Sequence, residues 1–332
     1  MTGSHPWAAA MRDLEPITRR APSAHNTQPW TLHYAPDHIT IGWDEDRELP
    51  AGDPTRRDLY LSLGAFVETS LIAATDAGLP VRAEVAVDAS KRVAARLLPA
   101  CEPYATPYTT DTITARGCAR GAHEPGRLRT DQLTRVREQL RDTALTELPA
   151  RALAGQARDA DRWLFGSPAV VRELRAWMRL GGRSARARAG GDDGLTAAAL
   201  GLSASEAVAF RAALAALAGP LRHLGPSRLG LPRLLARSQA GLLRYDGSVL
   251  VLTGPAEPLD PSAMVTAGRD LVRCWYALTE LGLAVHPLSQ LIDCPDTASA
   301  LRRRLGTPPL AIFRAGRPTA PPPRSKRLHE EP

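Results

Sequence analysis

The chain has 332 residues, 44% of them apolar and only 5% aromatic, with 42 Lys+Arg against 35 Asp+Glu and a formal charge of +7. Such a length sets an expectation of about two domains or one large one, and the core must rest on Leu, Ala and Val. The apolar runs fall well short of the ~20 residues a membrane span needs, and Met1 to Trp7 has no basic stretch leading into an apolar one. A membrane helix and a secretory signal are therefore not expected, and the expected location is the cytoplasm.

In chain order, Met11 to Arg19 fits a helix packing through Leu14 and Ile17. Thr31 to Tyr34 and the β-branched run His38 to Trp43 have strand length. Ser62 to Val81 reads as a long, largely apolar helix ended by Gly78, since glycine adopts the left-handed C′ conformation without strain. Val81 to Val87 then alternates apolar and polar residues, as a half-buried strand does. Thr130 is placed to cap a helix carrying Leu133, Val136 and Leu140 on one face, and Ser167-Pro168 opens another through Val171, Leu174 and Met178. Gly181 to Gly191 has no apolar anchor and is expected to be mobile. Leu195 to Leu243 is an Ala/Leu-rich helical insertion, Ser248 to Thr253 a strand, Thr266 to Val285 a second buried helix and Leu310 to Phe313 a short apolar run. The tail from Pro318 to Pro332 is Pro-rich and extended.

Several chemistries drop out. Only Lys91 and Lys326 are lysines, and the arginines interleave with acids as on a solvated surface. No zinc-finger spacing, aromatic-basic RNA-binding run or helix-turn-helix accompanies them, so a nucleic-acid partner is not expected. Cys101, Cys118, Cys274 and Cys294 form no C-x-x-C pair and read as free, buried thiols. The histidines lack metal-ligand spacing, and neither the dinucleotide fingerprint nor a P-loop is present.

A shift of 204 positions superimposes the two long helices, placing Gly64 on Gly268, Ala73 on Ala277, Thr75 on Thr279 and Gly78-Leu79 on Gly282-Leu283. A strand precedes and follows each copy. Chance similarity between two Ala/Leu-rich helices is the competing reading.

The segment richest in chemistry is Arg20-Ala-Pro-Ser-Ala-His-Asn-Thr-Gln-Pro-Trp30. Pro22, Ser23 and Ala24 make a turn of small residues that lets a ligand approach the backbone. Asn26 and Gln28 each offer an amide donor and acceptor, which suits a flat ligand such as a flavin pyrimidine ring. By itself the stretch reads equally as a well hydrogen-bonded loop with a core tryptophan.

P-S-x-x-N-x-Q-P-W in this stretch resembles the signature of the nitroreductase family of FMN enzymes, and the whole chain resembles its Acg-type branch, in which two halves are fused. Further segments carry that likeness: Arg47 to Pro50, Asp53 to Arg56, Ser62 to Ala65, Arg116 to Arg120, Glu173 to Trp177, Asp193-Gly194 and Ser289-Gln290. The resemblance implies an α+β fold of two fused repeats forming a pseudo-dimer, with central sheets wrapped by helices. The halves would span 1–103 and 104–332 as one compact unit, with a helical lid inserted at about 181–246. It implies one FMN between the halves, NAD(P)H as co-substrate, a small-molecule substrate, and a monomer acting as an internal dimer. Arg116-x-Cys118-x-Arg120 resembles the family's R-x-S-x-R phosphate motif, with the weaker donor Cys118 in the place of Ser. Arg324-Ser325-Lys326 resembles its basic pair, and Pro287, Leu288, Ser289 and Gln290 fall where the family places backbone donors near flavin N5. No side chain is assigned as acid or nucleophile. Flavin storage under a lid is the alternative reading, and the physiological acceptor is left open.

Overall fold

The segments related by 204 residues fold as helices of identical length and matching bounds, Arg57–Asp76 and Pro261–Glu280. Both close alike. Gly78 and Gly282 take φ of 73° and 69°, and the amides of Leu79 and Leu283 return to the carbonyls of Ala74 and Leu278 at 2.8 and 2.9 Å. This Schellman closure satisfies carbonyls that a helix end would otherwise leave bare. The computed structural model describes residues 6–181, 192–219, 230, 235, 241–254 and 260–328.

The two helices pack on each other through the glycines that the repeat pairs. A Cβ on Gly64 would stand 1.8 Å from the Val265 carbonyl oxygen, and one on Gly268 would stand 2.2 Å from that of Leu61. Backbone touches backbone there, so no side chain fits. Further along, the buried Glu68 carboxylate binds Arg269 at 2.8 Å and Arg273 at 2.9 Å. It also accepts the Tyr104 hydroxyl at 2.6 Å, so a fully buried charge is answered on both oxygens.

Each long helix covers an antiparallel sheet. The first sheet comprises β1 (Trp30–Tyr34), β2 (Ile39–Trp43), β3 (Val81–Asp88) and β4 (Val93–Pro99), in the order β1-β2-β4-β3. Next come β5 (Ala144–Pro149) and the short parallel pair β6 (Met178–Arg179) and β7 (Leu195–Thr196). β8 (Ser248–Thr253), β9 (Ala284–Pro287) and β10 (Pro309–Gly316) join β5 in a second sheet ordered β5-β8-β10-β9. The strand sequence of the two sheets is the same. Ile39, Ile41 and Trp43 meet Leu63, Phe66 and Val67 in one core, while Leu250, Leu252 and Phe313 meet Leu271, Val272 and Trp275 in the other. Helices Ala154–Gly166, Gln290–Asp293 and Pro295–Leu305 close the far face of the second sheet, where Leu291 and Leu301 pack on Val249, Val251 and Ile312. Helix Ala204–Ala218 of the insertion packs on helix Pro168–Trp177, with Leu214 and Leu217 against Val171 and Leu174.

Several local expectations are corrected. The helix foreseen at Met11 to Arg19 is two pieces, Pro6–Asp13 and Glu15–Thr18, because Pro16 lacks the amide a continuous helix needs. Arg129, not Thr130, caps helix Thr130–Arg137, which stops before Leu140. Ser167 stands at the N-cap ahead of Pro168, yet its hydroxyl donates back to the Trp163 carbonyl at 2.9 Å. β4 and β5 were not foreseen, for Ala/Leu-rich runs carry little strand signal. Arg20, Arg57, Arg116, Arg273, Arg314 and Arg327 are buried, so the arginines are not simply a solvated surface. Cys274 and Cys294 are buried free thiols, whereas Cys101 is exposed. The stretch expected to be mobile, 182–191, most of 220–240, and 329–332 of the tail lie outside the described residues.

Candidate functional site

Backbone strain singles out the loop ahead of β1. His25, Asn26 and Gln28 all have positive φ, at 48°, 56° and 50°, a region that residues with a Cβ enter at a cost of about 1 kcal/mol or more each. Surrounding bonds hold it there. The Ser23 hydroxyl oxygen accepts the Gln28 amide at 2.9 Å, and Asn26 donates to the carbonyls of Gly194 and Lys326, both at 3.2 Å. Gln28 donates to the Asp192 carbonyl and accepts the Leu328 amide, both at 2.9 Å. Arg47 donates to the Thr27 carbonyl at 2.7 Å and pairs with Asp193 at 3.1 Å. Asp193 also pairs with Arg179. Glu173 accepts the amides of Ala51 and Gly52, each at 2.8 Å. The segments at 47–50, 173–177 and 193–194 thus hold this loop and the chain beside it in place.

The strained loop forms one wall of a cavity of about 700 Å³, a size within the ~300–1,000 Å³ common for ligand pockets. Residues of both long-helix repeats line it. Of the residues singled out in the sequence, Pro22, Ser23, Ala24, Asn26, Arg116, Cys118, Arg120, Pro287, Ser289, Gln290 and Arg324 come together there. Gln28, Leu288 and Lys326 are not in its lining. Gln28 is buried with both polar atoms bonded within the chain, which makes its amide a clamp on the tail. Leu288 is a core residue whose amide donates to the Ile312 carbonyl at 2.9 Å. Lys326 extends to solvent and pairs with Asp192 at 3.2 Å.

Part of the cavity lining is basic. Arg116 is buried and donates to the Arg20 carbonyl at 2.9 Å, with Cys118 Sγ 3.7 Å from its Nη1. Its Nε is buried with no hydrogen-bond partner among the described residues. Arg120 donates to the Ala199 carbonyl at 3.1 Å, and burial, reinforced by Arg116, draws its pKa down. Exposed Arg324 completes this wall. Buried Arg327 lines the cavity beside it, its guanidinium bonded to Asn26 Oδ1 at 3.0 Å and to the Arg19 carbonyl at 2.7 Å. Among the described residues no salt bridge reaches Arg116, Arg120 or Arg324.

The lining also holds acidic residues that the sequence did not announce. Among them are Asp53, Asp58, Asp161 and Asp293. Burial pushes the Asp161 carboxyl up to about 7, opposed only by a hydrogen bond from Gln290. Burial likewise raises Asp53 and Asp293, with the neighbouring Asp58 adding to both. His25 feels both sets: burial and Arg120 lower it to about 4, while Asp58 pulls the other way. His286, also in the lining, is held well below its usual range by burial and then by Arg314 and Arg120. The available signals were weak: Asp293 falls one helical turn after Gln290, and His286 directly before Pro287. Among the described residues no group of His, Cys, Asp or Glu is arranged to hold a metal, and no helix is long and apolar enough to cross a membrane.

No family model matches the chain. It is similar to a Mycobacterium tuberculosis protein named as an NAD(P)H nitroreductase, Rv3131, at 33% identity over 78 residues. That match covers 24% of this chain and 23% of the relative, so the chain spans less than a quarter of the relative's length. Similarity to PigM of Serratia sp., also named as an NAD(P)H nitroreductase, runs at 24% identity over 92% of this chain and 86% of PigM. Among solved structures, the FMN-dependent nitroreductase NfnB of Mycobacterium smegmatis, in complex with NADPH, aligns with a TM-score of 0.37 and 16% identity. It covers 63% of this chain and 86% of that one. The named relatives support a nitroreductase relationship.

Proposed function

We propose that the chain is an FMN-dependent oxidoreductase of the nitroreductase type, moving hydride between NAD(P)H and a small organic substrate such as a nitroaromatic, a quinone or a pathway intermediate. The observation that carries this reading is the basic part of the cavity lining: three arginines that have no carboxylate partner among the described residues, one of them with a buried Nε left unbonded there. A phosphate monoester fits that chemistry, because each planar guanidinium donates two parallel bonds to its oxygens. Arg116, Arg120 and Arg324 would hold the phosphate, and Cys118 would add at most a weak donor. The strained turn from Pro22 to Asn26 would border the ring, and the backbone from Pro287 to Gln290 would offer it donors. Asn26, with its amide bonded to the chain, would act by shape more than by hydrogen bonding. When bound, FMN supplies two-electron redox chemistry, accepting hydride from NAD(P)H and passing it to the acceptor. Trp163, Leu164, Phe165 and Leu174 line the cavity and would keep water out.

The shared strand order and the glycine crossing support a fused pseudo-dimer of halves 1–103 and 104–332 that works as a monomer with one flavin. The names of the relatives support NAD(P)H as co-substrate. One observation favours a second reading, flavin storage: Ala199, Leu200, Phe210 and Ala213 of the insertion line the cavity, as a cover would. Stopped-flow mixing of the flavin-loaded protein with NADPH separates the two, since storage requires slow reduction.

The deciding experiment replaces Arg120 and Arg324 together by Ala. FMN binding should weaken by about 3–6 kcal/mol, at roughly 1.5–3 kcal/mol for hydrogen bonding to each charged group. Riboflavin, which lacks the phosphate, should bind as before. Equal losses for both flavins would overturn the phosphate assignment.

A further inference from the structure

The four thiols of the chain stand in unlike places. Cys274 and Cys294 are sealed in the core at 0% and 3% exposure, and Cys101 is exposed. Cys118 is half-buried, and of the four it alone belongs to the cavity lining. Its backbone is fixed, since Cys118 bridges Val285 on β9 and the next amide, that of Ala119, donates to the Val285 carbonyl at 2.9 Å. The sulfur is thereby held among cations. Arg116 donates to Sγ at 3.7 Å, and Arg120 is near enough for its charge and that of the sulfur to act on each other.

A second observation marks the same place as one that takes an anion. Arg116 is nine-tenths buried, and its Nε has no partner among the described residues. No salt bridge reaches it or Arg120 there. Thiols react where the surroundings are electropositive and partly open, and stay inert where they are buried. Positive charge lining a cleft also concentrates anions within it.

We propose that Cys118 is a modification site: in the flavin-free chain its sulfur exchanges with a small disulfide that carries anionic groups, and the mixed disulfide then closes the basic part of the cavity to FMN. The Cys118 sulfur attacks one sulfur of the disulfide, a new S–S bond forms and the old one breaks. The leaving thiolate takes the electron pair, and the Cys118 proton passes to solvent. The half that stays bound brings its own negative charge to Arg116 and Arg120, in the place of the flavin phosphate. That consequence rests on the reductase reading, in which these arginines hold FMN; the exchange itself does not.

The test uses the whole chain, with and without FMN, and two aromatic disulfides: the dianionic dithiobis(nitrobenzoate) and the neutral dithiodipyridine. Mass spectrometry of proteolytic peptides follows each thiol separately. Cys101, exposed and followed by exposed Glu102, is the internal control. Without FMN, the rate ratio of anionic to neutral reagent should be at least about tenfold higher at Cys118 than at Cys101, and inorganic phosphate should lower it. FMN should protect Cys118 but not Cys101. The labelled chain should fail to take up FMN, and dithiothreitol, by removing the label, should restore uptake. Cys118→Ser should take up FMN equally before and after treatment. An unlabelled Cys118, or a charge preference no greater than at Cys101, would overturn the modification site. Unchanged FMN uptake by the labelled chain, or a loss that also appears in Cys118→Ser, would overturn the block on loading. A charge preference at Cys118 in a chain that never takes up FMN would refute the reductase reading alone. FMN uptake and bleaching by NADPH in a chain whose Cys118 resists the anionic reagent would refute the modification site alone.

Discussion

The two halves share a strand order and a helix of the same length, yet they are not finished alike. In the first, β3 alternates half-buried and exposed positions beyond the buried Val81. In the second, every residue of β8 is buried, because three further helices close the outer face. They differ also at the cavity. The first half brings the strained loop with Asp53 and Asp58, whereas the second brings Arg116 and Arg120, the insertion, Asp161 and Asp293. Where the halves touch each other they match, down to paired glycines; where they face the ligand space they diverge. Two sheets of the same strand order thus frame one cavity, and its lining holds both basic and acidic side chains.

The matched part is the easier to break. Glu68 is fully buried between Arg269, Arg273 and Tyr104, and it ties the first long helix to the second. Glu68→Ala leaves two guanidinium groups short of their counter-charge. We expect a loss of about 3–5 kcal/mol, the usual cost of removing one partner of a buried pair, measured by urea unfolding. The exposed pair Arg129–Asp131 is the control, and Asp131→Ala should shift the midpoint little. Gly64→Ala attacks the crossing directly, since the new methyl would overlap the Val265 carbonyl. Pushing the helices apart should cost about 3 kcal/mol, the upper part of the range for overpacking. Wild-type stability in this variant would mean that the helices slide past each other freely, and the case for one rigid crossing would fail.

Legibility in the sequence followed the same division. The repeat showed both long helices because burial on nearly every side leaves a long apolar run, and because Gly78 and Gly282 mark the ends by a backbone requirement. Strands rich in β-branched residues, such as Ile39–Trp43 and Ser248–Thr253, were visible for similar local reasons. β4 and β5 were not, as their character comes from neighbours that only the fold supplies. Local motifs singled out the turn at 22–24, the arginines at 116 and 120 and the segment at 287–290, all of which except Leu288 line the cavity. Their bonding was not local. Gln28 reads as a ligand amide, yet it closes on Asp192 and Leu328, far along the chain. The acidic residues of the lining were invisible because Asp53, Asp161 and Asp293 stand in three unrelated segments, and only burial makes them unusual.

That last point sharpens the contrast between the basic and acidic residues of the lining through pH. A solvated Asp releases its proton near 3.8, whereas Asp161 in the folded chain keeps it to about 7 because burial disfavours the charged form. Between about pH 4 and 7 the native state therefore binds more protons here than the unfolded chain does, and stability must fall as pH rises. One such group contributes a slope of at most about 1.4 kcal/mol per pH unit, flat again above pH 7. Asp161→Asn cannot titrate, so the variant should gain on the wild type steadily across that window and hold a constant lead beyond it. Urea unfolding at several pH values measures the difference, in which the shared contributions of Asp53, Asp58, Asp293, Arg57 and His25 largely cancel. Parallel curves for the two proteins would mean that Asp161 is ionised in the native state and already has a cation beside it.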